Sequence, residues 1–154
     1  MEQGKLTRAG SSFPIEELEA NVLIKINTFR VMMYDNMLDN IQCEQQIINC
    51  NDSIKKIHFV IATDSGDTFD TIKLNTDKKA VEFSTIFKHV NTSNEKKNDG
   101  FREFSYIHSR NGVNKNFNPK IFLYSFDFKK KVILKNIELP FNPCMHLFHI
   151  IMEE

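Results

Sequence analysis

Phe122, Tyr124, Phe126 and Phe128 set four aromatic side chains at every second position of one segment. On a strand such a row shares one face, whereas the 3.6-residue turn of a helix would scatter it round the axis. A face this apolar is either the wall of a core or a surface that binds something. Both uses commit the chain around it to β-structure.

Other segments carry the same period. Val22, Ile24 and Ile26 alternate with Lys25 and Asn27, and the apolar set then shifts to Phe29, Val31 and Met33. That phase slip predicts a bulge or a strand that crosses to a second sheet. Residues 41–50 predict a strand of mixed character. Residues 57–63 are apolar on both faces, Asp64-Ser65-Gly66-Asp67 is turn chemistry, and residues 68–74 alternate again, which predicts a hairpin around a central strand. Residues 80–90 fit both a helical and a strand period, and their β-branched and aromatic content favours the strand. Residues 101–109 predict a strand followed by an Asn111-Gly112 turn. Residues 120–128 and 132–139 predict a second hairpin that turns at Lys129, Lys130 and Lys131. Residues 144–152 predict a buried last strand, because Glu153 and Glu154 would oppose the dipole of a helix ending there.

The remaining segments are polar or short. Residues 1–11 form a flexible tail, Ser12 and Pro14 are the cap and first turn of a short helix, and residues 91–100 are a long charged loop. The expected fold is all-β, an antiparallel β-sandwich of about eight strands with room for one or two short helices, in a single domain over residues 12–154.

Residues 118–128, Asn-Pro-Lys-Ile-Phe-Leu-Tyr-Ser-Phe-Asp-Phe, with Ile137-Glu138-Leu139-Pro140 after them, resemble the late hairpin of C2-type β-sandwiches, including the related B9 domains. There a Pro-led apolar strand ends near an acidic residue and its partner ends in Leu-Pro. The resemblance covers residues 118–140 and implies the sandwich architecture. Where calcium-binding C2 domains carry several aspartates, this chain carries three lysines. Asp127 alone matches a calcium ligand, and one carboxylate does not make a calcium site.

Charge and cysteine content narrow the class. Twenty basic and twenty acidic residues cancel, so the electrostatic footprint of a dedicated nucleic-acid binder is missing. Cys43, Cys50 and Cys144 are odd in number and lack metal-type spacing, which predicts free thiols and a reducing compartment. Residues 1–10 are polar and charged with no apolar run to serve as a signal peptide, and no later run has the length of a membrane span. The expected setting is intracellular and cytoplasmic.

Few residues invite chemistry. Val60-Ile61-Ala62-Thr63-Asp64-Ser65-Gly66 resembles the catalytic loop of retropepsin-type aspartic proteases, and the resemblance implies a carboxylate sharing a proton with a second one. Thr63 and Asp67 depart from that pattern, and no glycine-rich flap is present. A small hydrolase using Asp64 is therefore a remote alternative. Asp64, Asp67 and Asp70 do not match an EF-hand spacing. Cys144 and His146 would share one face of a strand with His149 on the other, so no metal site and no cofactor is expected.

Lys129, Lys130 and Lys131 are the candidate binding residues. With Lys55-Lys56, Lys78-Lys79 and Lys96-Lys97 also near expected turns, several tips sharing one end would make a basic face for phosphate or an anionic lipid headgroup. The residues as a whole predict a non-enzymatic binding or adaptor module with another protein as partner, and a phosphate- or membrane-surface-binding C2-like domain as the alternative.

Overall fold

The β-branched and aromatic runs form strands throughout the computed structural model, which describes residues 11–14, 17, 22–26, 29–32, 40–92, 101–109, 111–116 and 118–154. In chain order these are β1 (Val22–Ile26), β2 (Phe29–Met32), β3 (Ile41–Glu44), β4 (Ile47–Thr63), β5 (Thr68–Thr76), β6 (Ala80–Phe87), β7 (Phe101–Glu103), β8 (Ile107–Ser109), β9 (Gly112–Asn114), β10 (Lys120–Glu138) and β11 (Phe141–Glu153). Seven of them make one sheet in the order β3-β11-β4-β10-β5-β6, with β7 also on β10; β1-β2 and β8-β9 are separate hairpins. All these strand pairings are antiparallel.

The spine is the ribbon of β4 and β10, 17 and 19 residues long. Register shifts between Asp127 and Val132 and between Leu134 and Asn136 bend it, as bulges do when extra residues enter one strand. One half of the ribbon pairs with β11 and β7, the other with β5. The sheet consequently curls until the chain after β6 returns to β4, where a parallel bridge joins Thr63 to His89.

The main core fills this curl. Ile57, Phe59 and Ile61 of β4 pack with Ile72 and Leu74 of β5, Phe87 of β6 and Met145 and Leu147 of β11. Tyr124, Phe126 and Phe128 of the aromatic row wall this core. Phe128 is buried, Phe126 and Tyr124 are half-buried against it, and Phe122 is buried. Its rings engage the opposite layer at edge-to-face spacings that suit the aromatic quadrupole: Tyr124 lies 4.9 Å from Phe87 and Phe126 5.6 Å from Phe83.

A second, smaller core covers the other face of the β11-β4-β10 layer. Phe13, Phe104 and Ile107 pack there on Val60, Ala62 and Ile121. Ser12 exchanges backbone hydrogen bonds with His108, and Ser105 N–H and hydroxyl both donate to the Glu17 carboxylate. Of the expected tail over residues 1–11, residues 1–10 lie outside the described residues.

Several expectations are corrected. Lys129, Lys130 and Lys131 do not turn a hairpin, because β10 runs straight through them. A tight hairpin needs residues at positive φ, and the described chain places only Gln45, Gly66 and Gly112 there. The 57–63 and 68–74 strands form no hairpin either, since β10 lies between β4 and β5. Residues 41–50 split at Gln45, φ 63°, and residues 101–109 split into β7 and β8. The phase slip after Ile26 is a chain reversal, with Ile26 opposite Phe29. Only a single turn, Glu17 N–H to the Pro14 carbonyl, stands where the short helix was expected among the described residues. The strand over 80–87 and the Asn111-Gly112 turn are as expected, the latter with Gly112 at φ 101°.

Phe59 is fully buried and stacks over Phe83 at 6.0 Å, so Phe59→Ala should lower the unfolding free energy by about 3 to 5 kcal/mol. Phe126→Ala should cost about half as much, because part of its ring already meets water. Urea unfolding of both variants checks this, and equal losses would contradict the burial order.

Candidate functional site

Backbone pairing gathers the lysines at one end. Residues 128–131 of β10 bulge opposite Lys55, because Asp127 pairs with Lys56 and Val132 with Ile54. Lys55, Lys129, Lys130 and Lys131 are all exposed. The β5-β6 turn arrives beside them, with Asp77 N–H donating to the Ile133 carbonyl at 2.9 Å and Ile133 N–H donating to Asp77 Oδ1 at 3.2 Å. Lys78 and Lys79 of that turn thereby join the same end, in company with Asp77 and Asp127. Lys96 and Lys97 lie outside the described residues.

Asp64 sits where β4 leaves the sheet. Its N–H donates to the Cys144 carbonyl, and its Oδ1 accepts the Ser65 hydroxyl at 3.0 Å. Its Oδ2 faces His146 Nε2 at 3.8 Å. The carboxylate thus meets an imidazole in place of the second carboxylate that a shared-proton hydrolase requires. His146 is fully buried, and its Nδ1 bonds Asn40 Oδ1 at 2.9 Å, while Nε2 has no hydrogen-bond partner. A register shift between Leu147 and His149 sets His149 opposite Val60 and His146 opposite Ala62. The two histidines therefore share a face, contrary to the period-two expectation. No group of three or more metal-ligating side chains forms among the described residues.

Asp67 organises the next corner. It accepts hydrogen bonds from His89 N–H at 2.8 Å and the Thr92 hydroxyl at 2.9 Å, and it pairs with Lys88 at 3.4 Å. Burial opposes its charge, but those donors outweigh burial and hold its carboxyl below the usual range. Asp70 points elsewhere, accepting Asn142 Nδ2 at 3.0 Å. The three cysteines are free. Burial, with Asp70 nearby, pushes the Cys43 thiol up to about 12, so it stays protonated and unreactive.

Two features escaped sequence reasoning. The first is an apolar end. Phe69, Phe141 and Ile47, at 69%, 67% and 59% exposure, are the most exposed of the large apolar side chains among the described residues. Ile47 and Phe141 line a hollow of about 360 Å³ together with Gln45, Thr71, Lys73 and Glu138. Phe69 lies two residues from Thr71 on the same face of β5, and Ile86 stands opposite Phe69. Asn75 Nδ2 fixes Glu138 at 2.6 Å.

The second is a line of polar groups across three strands, Ser125 on β10, His58 on β4 and Glu153 on β11. Ser125 Oγ is 2.7 Å from His58 Nδ1, and His58 Nε2 is 2.5 Å from Glu153 Oε1. These residues stand 67 and 95 positions apart, and only the strand register reveals that they meet.

The buried histidine predicts a pH dependence. Burial depresses the His146 imidazole below the ordinary histidine value, and the Asp64 charge offsets this only in part. A neutral buried ring stabilises the fold fully above the unfolded-state value, and that contribution is lost as pH falls through the lowered folded value. Melting temperature should therefore fall as pH drops from about 7.5 to about 5 across the histidine range. His146→Gln should flatten the slope, and an unchanged slope would assign it to another group.

A family model described as the AziU2-like β-sandwich domain matches residues 1–154, the whole chain. No curated protein matches the chain by sequence. Match and architecture agree, since an antiparallel sheet curls into two layers around a shared core, and the chain belongs to the AziU2-like β-sandwich domain family.

Proposed function

We propose that this chain is a protein-binding module that grips its partner at the apolar end. The observation that carries this is the pair of exposed side chains Phe141 and Ile47 around one hollow with charged groups in its wall, and exposed Phe69 two residues along β5 from Thr71 of that wall. Protein interfaces draw most of their energy from a few aromatic anchors that are desolvated on contact, with polar groups at the rim fixing orientation. Lys73 and Glu138 supply such a rim. Truncating an anchor of this kind typically costs binding about 2 kcal/mol or more.

A photo-crosslinking amino acid at position 141, introduced in the native cells, should give a discrete adduct with one protein. The same group at position 130, at the lysine end, should not. Phe69→Ser should remove the adduct while leaving the far-UV spectrum unchanged. Identical adducts from both positions, or none from 141, would overturn the assignment.

A second reading rests on the convergence of Lys55, Lys78, Lys79, Lys129, Lys130 and Lys131, which gives phosphate-bearing surfaces one place to bind. Asp77 and Asp127 moderate that field. If the lysines act this way, the protein sediments with phosphatidylserine vesicles, and changing Lys129, Lys130 and Lys131 to Ser weakens binding by about 1 kcal/mol per lysine. Added salt then weakens the wild type similarly. Wild-type protein that stays in the supernatant at low salt would return the lysines to keeping a bulged strand soluble.

A further inference from the structure

The Ser125, His58 and Glu153 line lies on the face of the β11-β4-β10 layer that also carries Val60 and Ala62, away from the apolar end. One arrangement of its protons suits catalysis. An ionised carboxylate only accepts, so the 2.5 Å contact with Glu153 puts the hydrogen on His58 Nε2. In the neutral ring Nδ1 then offers a lone pair, to which Ser125 Oγ–H can donate at 2.7 Å. His58 is 2% exposed whereas Ser125 is open to solvent, so the base is held in place and the hydroxyl is accessible.

The strand edge adds a donor. Phe104 N–H donates to the Pro119 carbonyl across the β7 side of β10. In an antiparallel ladder successive residues point their backbone groups to opposite edges. Residues 119, 121, 123 and 125 therefore turn theirs towards β7, and no register shift intervenes up to Asp127. β7 pairs only as far as Phe122, so Ser125 N–H emerges at an edge without a strand partner among the described residues. That N–H, on the same residue as Oγ and without a strand partner among the described residues, would supply one donor for an oxyanion.

We infer that Ser125 is an activated nucleophile that takes the acyl group of a carboxylic ester, with His58 as its base and Glu153 as the positioning residue for that base. This goes beyond binding at the apolar end and departs from the expectation of a chain without catalysis. Oγ attacks the carbonyl carbon, the carbonyl electron pair moves to oxygen near Ser125 N–H, and the hydroxyl proton passes to His58 Nδ1. Collapse of the tetrahedral species breaks the ester bond, and the departing alkoxide takes the Nδ1 proton. Water then attacks the acyl-serine by the same route, returning a carboxylic acid and the Ser125 hydroxyl. Leu123 and Ile151 flank the line, which suits an apolar acyl group.

The test is covalent labelling of the full chain with a fluorophosphonate, in which an Oγ–P bond forms and fluoride leaves, together with hydrolysis of p-nitrophenyl butyrate. The label should map to Ser125 and vanish in Ser125→Ala. Glu153→Gln should slow labelling by about tenfold or more while still directing it to Ser125, and should lower kcat with little change in KM, which a purely structural contact would not do. Because His58 ties three strands, Ser125→Ala and Glu153→Gln are the decisive variants. Circular dichroism confirms that each is folded. Absence of label on folded wild-type protein, label that persists in Ser125→Ala, or Glu153→Gln labelling at the wild-type rate would each overturn the inference. Photo-crosslinking from position 141 is unaffected by any of these outcomes.

Discussion

The hydrogen-bonded ribbon of β4 and β10 is the constraint on which the rest of this structure depends. A buried strand must satisfy a donor and an acceptor at nearly every residue, and these two strands do so largely with each other along most of their length. The remaining strands of the sheet then have edges to join. β11 takes the far side of β4, while β7 and β5 take different stretches of the far side of β10. Because bulges bend the ribbon, its two halves belong to different layers, and one pair of strands closes the main core from both sides.

The candidate sites fall where that ribbon changes its surroundings. The lysines stand at its largest bulge, where four residues face one and no lysine among them can turn inward cheaply. Ser125 stands just past the point where β7 stops, beside a histidine that the layer buries. At the other extreme the ribbon ends at Glu138 and Ile47, and the chain leaves through Leu139 and Pro140 to Phe141, which produces the apolar hollow. The proposed chemistry and the proposed recognition therefore occupy separate regions of a single sheet.

Local periodicity made the all-β class and the strand nature of the 122–128 row legible, since side chains two apart must share a face. It also made the gathering of lysine pairs at one end a natural expectation. What it could not supply was the partner of each strand. A strand 60 residues distant can slip between two neighbours without changing their patterns, which is how β10 came to divide β4 from β5. The lysine run was misread as a tip, although its lack of Gly, Asn or Asp argued against a tight turn. His146 and His149 appeared to face apart because a bulge reverses parity without leaving a mark in composition. Ser125, His58 and Glu153 are ordinary residues in their own segments and become a constellation only through register.

The bulge at residues 128–131 has one consequence of a different kind. Phe128 at its start and Leu134 beyond it both reach the main core, although between the pairs Asp127–Lys56 and Val132–Ile54 β10 supplies four residues where β4 supplies one. The lysines are thus a spacer that brings the second half of β10 back into phase. Their side chains are interchangeable with other polar groups as far as the core is concerned, but their number is not. Losing or gaining a single residue here would present the wrong face of everything from Val132 to Glu138, so this stretch should tolerate substitution freely and insertion or deletion hardly at all.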